Sequence, residues 1–254
     1  MLEDEFMENK KFESFCSNNI LIKLAETEEE FEQIYRLRYF ELILDYNKNQ
    51  INENEMDKDE YDDICDQMIA VDTTTNKVIG TYRLLKLSKL PIGMKLLTEG
   101  EFDITPLKKY EVLEVGRAVV EPKYRDGATI SMLWKGVIRD AVSVNVDFMI
   151  GTASFHGVDP NIYKDSLSYL HFEHLSPSDI RCNVNKTTWT RTDLKDDYDV
   201  VEAKKHLPPL IKGYLRLGAT IGEGAYLDIP FNSLDVLIVL KISDIDPKYL
   251  KRFL

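Results

Sequence analysis

The chain has 254 residues, 44% of them hydrophobic, which is enough to bury a full core in one large domain or two small ones. Its net charge of −12 is concentrated in residues 1–63, which hold 19 acidic and 7 basic side chains, whereas the rest holds 25 of each. Such an acidic surface does not favour nucleic acid. Three scattered cysteines, no signal-peptide pattern and no apolar run long enough for a bilayer predict a reduced, cytoplasmic protein.

Helix and strand patterns can be followed from residue 20 onward. Residues 27–43 predict a helix, because apolar side chains recur at helical spacing and Thr27 with Glu30 forms a capping box. A polar loop rich in Asn and Asp occupies residues 45–63. Strands are predicted at 20–24, 65–71, 78–87, 112–120, 148–154, 225–231 and 236–242, and further helices at 90–97, 129–143 and 207–217.

These elements predict one α/β domain at residues 20–254, preceded by an acidic N-terminal extension at 1–19. The order strand, helix, strand from 112 to 154 predicts a βαβ crossover with two parallel strands. Antiparallel neighbours would complete a mixed sheet of about six or seven strands with flanking helices. Residues 171–198 are only weakly periodic, and no element is predicted there.

The stretch LEVGRAVVEPKYR at 113–125 brings an acid and a base to the end of an apolar strand and continues through a basic turn into a helix. Such a strand end can hold an anionic group beside a reaction centre. Glu114 and Arg117 would face opposite sides of a regular strand. A bulge near Gly116 would put them on one face and release a backbone N–H that can polarise a carbonyl. An ordinary Glu–Arg ion pair between strands is the alternative.

Other charged residues are candidates for the same site. Arg83 lies in an otherwise apolar strand and is either snorkelling or directed at a ligand carboxylate. Arg36 and Arg38 face different ways on a helix, so at most one should join the site. Three acids of the 45–63 loop, each an ordinary solvated residue when taken singly, could together bind a substrate ammonium: Asp57, Asp62 and Asp63.

An ordered series of motifs resembles a known family. The motifs include GTYRLL at 80–85, EFD at 101–103, LEVGRAVVEPKYR, GTASFHGVDP at 151–160, LPPLIKGYLRLGA at 207–219 and FNSLDV at 231–236. Together they resemble the N-acyltransferases that make lyso-ornithine lipid, often labelled hemolysin-like. That family is a branch of the GNAT superfamily and is similar in its core to acyl-homoserine-lactone synthases. The resemblance runs from about residue 24 to the C-terminus.

The resemblance implies a GNAT-like fold and an enzyme that transfers a fatty acyl group from acyl carrier protein to the α-amine of an amino acid. The acceptor would be ornithine or a similar amino acid, in the first step of aminolipid synthesis. Glu114 and Arg117 would be catalytic, with Glu114 taking a proton from the acceptor ammonium and Arg83 or Arg117 binding its carboxylate. The acyl-homoserine-lactone synthases share a pattern of a helix arginine, an acidic loop, an arginine in R-L-L and an E-x-x-R strand. The positions that match it here are Arg36 or Arg38, Asp57 with Asp62 or Asp63, Arg83, and Glu114 with Arg117. The residues expected to contact the acyl donor are Val119, Val120, Tyr124, Arg125, Ala128 and Ser154.

The turn after Arg125 departs from the pattern of GNAT enzymes that use acetyl-CoA. Glycines that let backbone N–H groups approach the pyrophosphate are replaced by Ala128 and Ile130, so a full CoA cradle is not expected. Phosphopantetheine carries one phosphate, and residues 108–139, with seven basic and four acidic side chains, would suit the acidic surface of acyl carrier protein. We expect no permanently bound cofactor; the donor substrate is acyl-phosphopantetheine or acyl-CoA. Whether the protein also makes peripheral contact with the inner membrane stays open.

Alternative interpretations also stay open. The chain could be an acetyltransferase that uses acetyl-CoA, or a non-catalytic acyl-binding or membrane-peripheral module that has kept the fold. Tyr214 is either an acid for the leaving thiolate or a core residue. A zinc site is not expected, because the spacing of its candidate ligands matches no closed zinc pattern. Those candidates are His156, His171, His174 and Cys182.

Overall fold

The computed structural model of the chain describes residues 12–44, 51–185 and 193–253. Its strands are β1 (Phe15–Ser17), β2 (Ile20–Leu24), β3 (Asp66–Asp72), β4 (Lys77–Lys86), β5 (Phe102–Asp103), β6 (Val112–Val120), β7 (Phe148–His156), β8 (Asn183–Val184), β9 (Thr220–Ile221), β10 (Tyr226–Asp228) and β11 (Ser233–Lys241). Its α-helices are α1 (Glu28–Arg38), α2 (Ala128–Ser143), α3 (Lys164–His174), α4 (Val200–His206), α5 (Pro209–Arg216) and α6 (Pro247–Phe253).

Nine strands of the described ranges form one mixed sheet in the order β1-β2-β3-β4-β6-β7-β11-β10, with β9 also paired to β11. Among these nine strands, the one parallel pair is β6 and β7, and α2 connects them, so the predicted βαβ crossover is confirmed. The count exceeds the predicted six or seven because β1 and β9 have three and two residues, too few for a hydrophobic pattern. β1 lies inside the predicted N-terminal extension and pairs with β2.

Helices α1 and α2 cover opposite faces of the sheet. Alternate residues of β3 show this, because side chains along a strand point to opposite sides. Met68 and Ala70 are buried in the core cluster that contains α2, whereas Ile69 and Val71 are buried with residues of α1. The centre of the sheet is therefore shielded from water on both sides.

Helix α1 begins at the predicted cap. The Thr27 side chain accepts a hydrogen bond from the Glu30 backbone at 3.2 Å, and the Thr27 N–H donates one to the Glu30 carboxylate at 3.2 Å. The helix ends at Arg38 and continues as one wider π-helical turn over Tyr39–Ile43. The helix predicted at 90–97 is wrong: Pro91 and Gly93, the latter at φ 89°, interrupt the segment, and short 3₁₀ turns flank it.

Among the described residues, none of the helices combines the length and the apolar character that crossing a bilayer requires.

Candidate active site

The predicted bulge is present in β6. Thr81 of β4 pairs with Val119 and Arg83 pairs with Gly116, so Arg117 and Ala118 together stand opposite one residue, Tyr82. The residue in the left-handed backbone region is Arg117, at φ 50°. Gly116 therefore indicated the position of the bulge correctly, but the unusual backbone angle belongs to its neighbour Arg117. A non-glycine residue held in this region stores about 1–3 kcal/mol of strain, a feature that concentrates at functional sites.

The ion pairs of Arg117 support this backbone geometry. Its Nε donates to Asp57 Oδ2 at 2.8 Å, and its Nη2 lies 3.6 Å from Asp59 Oδ2. Both carboxylates belong to the acidic loop, which therefore folds over the bulge. The side chain remains partly exposed, at 27%, and lines a cavity.

The cavity opens where β6 and β7 separate. Their parallel pairing covers Val112–Glu114 against Phe148–Ile150 and then stops. At Gly151 the two backbones still touch, since a Cβ there would lie 2.2 Å from the Val115 carbonyl oxygen. Beyond this point the strands form the walls of a cavity of about 750 Å³.

Glu114 is a buried acid in the wall of this cavity, with 6% of its surface exposed. Its carboxylate accepts hydrogen bonds from the backbone N–H groups of Leu97 at 3.0 Å and Thr98 at 2.6 Å, and from the Thr98 hydroxyl. Burial raises the pKa of Glu114, although these donors and the charge of Arg83 pull it back. The carboxyl group is thus fixed in orientation and more basic than an exposed glutamate.

A buried network of arginines and aspartates adjoins Glu114. Arg38 is fully buried and donates to Asp57 at 2.9 Å and to Asp62 at 2.6 and 3.1 Å. Arg83 donates to both oxygens of Asp59 at 2.8 Å and lies 3.4 Å from Asp62. The arginine charges hold the pKa of Asp62 below its usual value, against the opposing effect of burial. The loop acids therefore orient the arginines.

Two predicted acceptor-binding residues lie outside this network. Arg36 is 42% exposed and pairs with Glu32 at 3.0 Å and Glu55 at 3.7 Å, because it lies on the solvent face of α1, two residues before Arg38. Asp63 is 70% exposed and pairs with Lys58 at 3.2 Å, whereas its neighbour Asp62 points inward. Of the two helix arginines, Arg38 lies in the buried network and Arg36 does not, and their part in acceptor binding stays a prediction.

The predicted donor-binding residues lie mainly along the cavity. Five of them line it: Val119, Val120, Tyr124, Arg125 and Ser154. Ala128 is not among the lining residues, and its N–H donates to Asp126 Oδ1 at 2.9 Å at the start of α2, so its contact with the donor stays a prediction. Arg125 donates to the Val120 carbonyl at 2.8 Å and pairs with Glu41.

Three aromatic side chains that contact one another line one side of the cavity: Tyr82, Trp134 and Tyr214. Trp134 donates to the Tyr82 hydroxyl at 3.0 Å, and the hydroxyls of Tyr82 and Tyr214 lie 3.2 Å apart. Burial raises the pKa of Tyr82 to about 12 and that of Tyr214 well above its ordinary value. Tyr214 is thus a core phenol that stays protonated.

The predicted histidine and cysteine candidates do not form a ligand cluster within the described residues. His174 shares a hydrogen bond with the Tyr169 hydroxyl at 2.9 Å, and Cys182 is buried in a hydrophobic core cluster.

Several residues of the cavity and its network were not assigned from the sequence. They are Asp59, Thr98, Glu101, Asp228 and Asp235. A signal existed for Asp235, since a single acid interrupts the apolar run SLDVLIVL of β11. Glu101 and Asp235 also belong to the motifs EFD and FNSLDV, for which no role was predicted.

Comparisons with known proteins agree with this architecture. The acetyltransferase (GNAT) domain family matches residues 35–135. The chain is similar in fold to FeeM, an N-acyl amino acid synthase from uncultured soil microbes, with a TM-score of 0.51, 10% identity, and coverage of 88% of this chain and 91% of that one. It is likewise similar to BjaI, a CoA-dependent acyl-homoserine lactone synthase, with a TM-score of 0.51, 14% identity, and coverage of 89% and 81%.

Relatives of known name are similar in sequence as well. An L-ornithine N(alpha)-acyltransferase of Rhodobacter capsulatus is 32% identical over 240 residues, covering 90% of this chain and 92% of its own. One of Agrobacterium fabrum is 33% identical over 248 residues, covering 91% and 84%. Similarity of this extent, over nearly the whole of each chain, adds to the shared fold. The chain therefore belongs to the family of the L-ornithine Nα-acyltransferases and is an acyltransferase with a GNAT fold.

Proposed function

We propose that the protein transfers a fatty acyl group from acyl carrier protein to the α-amine of an amino acid, ornithine or a close analogue, as the first step of aminolipid synthesis. The observation that carries the proposal is the position of Glu114, a buried and oriented carboxylate in the cavity where β6 and β7 separate. Transfer to an amine needs a base at such a point, because an ammonium cannot attack a thioester until it loses a proton.

The donor thioester would lie between the two separating strands. Val119 and Val120 line one wall and Ser154 the other, and the volume of about 750 Å³ falls within the roughly 300–1,000 Å³ of small-molecule sites. A backbone N–H of the bulge would donate to the thioester oxygen, where negative charge develops during attack. Ser154 would donate a hydrogen bond to the pantetheine arm.

The proposed reaction uses Glu114 as the base and an arginine as the ligand of the acceptor carboxylate. Glu114 takes one proton from the α-ammonium, and the neutral amine forms a bond to the thioester carbonyl carbon. The oxyanion that forms collapses, the carbon–sulfur bond breaks, and the sulfur leaves as thiolate. The second nitrogen proton passes to the thiolate, giving an amide and a free thiol. Arg83 or Arg117 would bind the acceptor carboxylate.

The start of α2 favours a carrier protein over CoA. Asp126 already accepts the Ala128 N–H, a donor that a pyrophosphate would otherwise use, and it places a carboxylate beside that end of the helix. A single pantetheine phosphate needs fewer donors. Lys123 and Arg125 are exposed at the same turn and would contact an acidic carrier surface.

The proposal places the reaction in the cytoplasm, with peripheral contact with the inner membrane because the product is amphiphilic. Sedimentation with anionic lipid vesicles checks the membrane part. Recovery of all protein in the supernatant, with and without acyl product, would refute that part alone.

Thiol release tests the activity directly. Purified protein receives long-chain acyl carrier protein, long-chain acyl-CoA or acetyl-CoA, each with ornithine, and mass spectrometry identifies the N-acyl product. We expect the carrier-bound donor to react fastest. Glu114→Gln should lower the rate by about 10²–10⁴-fold, the usual contribution of a general base. Arg117→Ala should also lower it, because it removes a cavity cation and the ion pairs of the bulge.

Glu111→Gln is the matched control. Glu111 immediately precedes β6, accepts from the Ser88 hydroxyl at 2.7 Å and does not line the cavity. Its variant should keep the wild-type rate. Near-native rates for both Glu114→Gln and Arg117→Ala would overturn the catalytic assignment. A preference for acetyl-CoA would indicate an acetyltransferase, and no thiol release with a broad amine panel would indicate a non-catalytic acyl-binding protein.

A further inference from the structure

Three carboxylates form a cluster on the cavity wall. Glu101 follows the 3₁₀ turn Leu97–Gly100 that supplies the donors to Glu114, Asp228 ends β10, and Asp235 lies in β11. Their carboxylate oxygens lie within 4.8 Å of one another, and all three residues line the cavity. The cluster and the proposed base therefore face the same enclosed space.

The cluster is electrostatically incomplete. Within the described part of the chain, Glu101 Oε2 and Asp235 Oδ1 are buried without a hydrogen-bond partner. Asp235 is only 4% exposed, so solvent does little to compensate. A buried carboxylate oxygen without a partner has lost its hydration and gained no hydrogen bond in exchange, which is unfavourable. A cationic donor in the cavity would remove this cost.

The electrostatics of the cluster favour a bound cation. Burial raises the pKa of Glu101 to about 8, with the charges of Asp235, Asp228 and Glu114 adding to the shift. Burial likewise raises the pKa of Asp235 to about 6, partly offset by the hydroxyls of Ser154 and Ser233. Near neutral pH one proton partly neutralises the three carboxylates, and the negative charge that remains attracts a cation.

The location of the cluster fits the second amine of a diamino acid. The charge of Glu114 contributes to the raised pKa of Glu101, which places the two carboxyls within electrostatic reach. An acceptor whose α-amine lies at Glu114 would extend its side chain along the same cavity. A terminal ammonium a few methylenes away could donate its three N–H groups to the cluster.

We propose that Glu101, Asp228 and Asp235 bind the side-chain ammonium of a diamino-acid acceptor and thereby select it over neutral amino acids. This inference rests on the proposed function and assigns its acceptor specificity to these residues. The buried carboxylate oxygens reject a neutral side chain because it would leave them unpaired. The acidic loop at 57–62, by contrast, orients Arg38, Arg83 and Arg117.

Ornithine and norvaline provide the test, because norvaline has the same carbon chain without the terminal amine. With a long-chain acyl carrier protein donor, wild-type kcat/KM should be at least about 100-fold higher for ornithine. Asp235→Asn, nearly isosteric, should lower kcat/KM for ornithine at least about 10-fold, mainly through KM, and leave norvaline within about threefold. Glu101→Gln should act in the same direction.

Asp140→Asn is the matched control. Asp140 is also buried, at 5% exposure, and burial likewise raises its pKa, but it lies on α2 outside the cavity. Its variant should keep the wild-type preference. Equal use of ornithine and norvaline by the wild type, or an equal effect of Asp235→Asn on both acceptors, would overturn the inference.

Calorimetric titration of each amino acid without donor separates this inference from the proposed function. If no donor gives thiol release, the proposed function fails, yet tighter binding of ornithine than norvaline that is lost in Asp235→Asn still supports the ammonium site. Equal binding of the two overturns it. Titration with Mg²⁺ or Ca²⁺ alone covers the metal alternative: binding that Asp235→Asn abolishes, with no preference for ornithine, would make the cluster a cation site of another kind.

Discussion

Thr98→Val perturbs the proposed base without touching its carboxyl group. The Thr98 hydroxyl donates to Glu114, is 3% exposed and is one of three donors that the carboxylate accepts. Valine keeps the shape of the side chain and removes this donor alone. Because the donor favours the charged carboxylate, its loss raises the pKa of Glu114 beyond the effect of burial.

The size of the effect follows from the charge on the acceptor. A hydrogen bond to a charged group contributes about 1.5–3 kcal/mol, and about 1.4 kcal/mol corresponds to one pH unit. The acidic limb of kcat/KM should therefore move at least about one pH unit upward. Below this limb the rate should fall roughly 10-fold or more, whereas at higher pH it should return to the wild-type value.

The assay is the pH profile of thiol release at subsaturating acceptor. Thr81→Val is the matched control: Thr81 is fully buried, its hydroxyl has no partner among the described residues, and it lies outside the cavity lining. Its profile should coincide with that of the wild type. An acidic limb at the same pH in Thr98→Val and wild type would refute the role of Glu114 as base.

Two further predictions concern stability. Arg38→Met should lower the free energy of unfolding in urea by about 3–5 kcal/mol, because it removes the bidentate ion partner of the buried Asp62. Arg36→Met should change it by less than about 1 kcal/mol, because Arg36 forms exposed ion pairs; equal losses would contradict this. The pKa of Glu101 is about 8 in the folded state and 4.5 in the unfolded state. The folded protein therefore binds this proton more tightly than the unfolded chain does, and the wild-type free energy of unfolding falls as the pH rises from 4.5 to 8. Glu101→Gln should remove this loss, and its stability relative to wild type should grow by about 2 kcal/mol from pH 6 to pH 8. Parallel pH curves for the two proteins would show that Glu101 is not the titrating group.

Much of the fold was predictable because its signals are local. The capping box at Thr27, the alternation of β3 and the apolar β6 and β7 each depend on residues close in sequence. The bulge was also predicted, since Gly116 in an apolar strand indicated it. The two extra strands, β1 and β9, were not predicted because segments of three and two residues are too short to show an alternating hydrophobic pattern. The helix predicted at 90–97 does not form, because Pro91 and Gly93 favour a turn there despite the apolar residues around them.

The sequence by itself determined the family and the strand that carries the proposed catalytic residues Glu114 and Arg117, because motifs and periodicity are properties of neighbouring residues. Only the tertiary structure decided which charged groups meet. Arg38 rather than Arg36 joins the buried network because the acidic loop folds over one face of α1, and Asp59 of the same loop pairs with Arg83. Glu101, Asp228 and Asp235 come from three separate segments, and only the packing of the cavity wall brings their carboxylates together. Such a contact leaves no local pattern, because its energy comes from burial shared by residues that are distant in the chain.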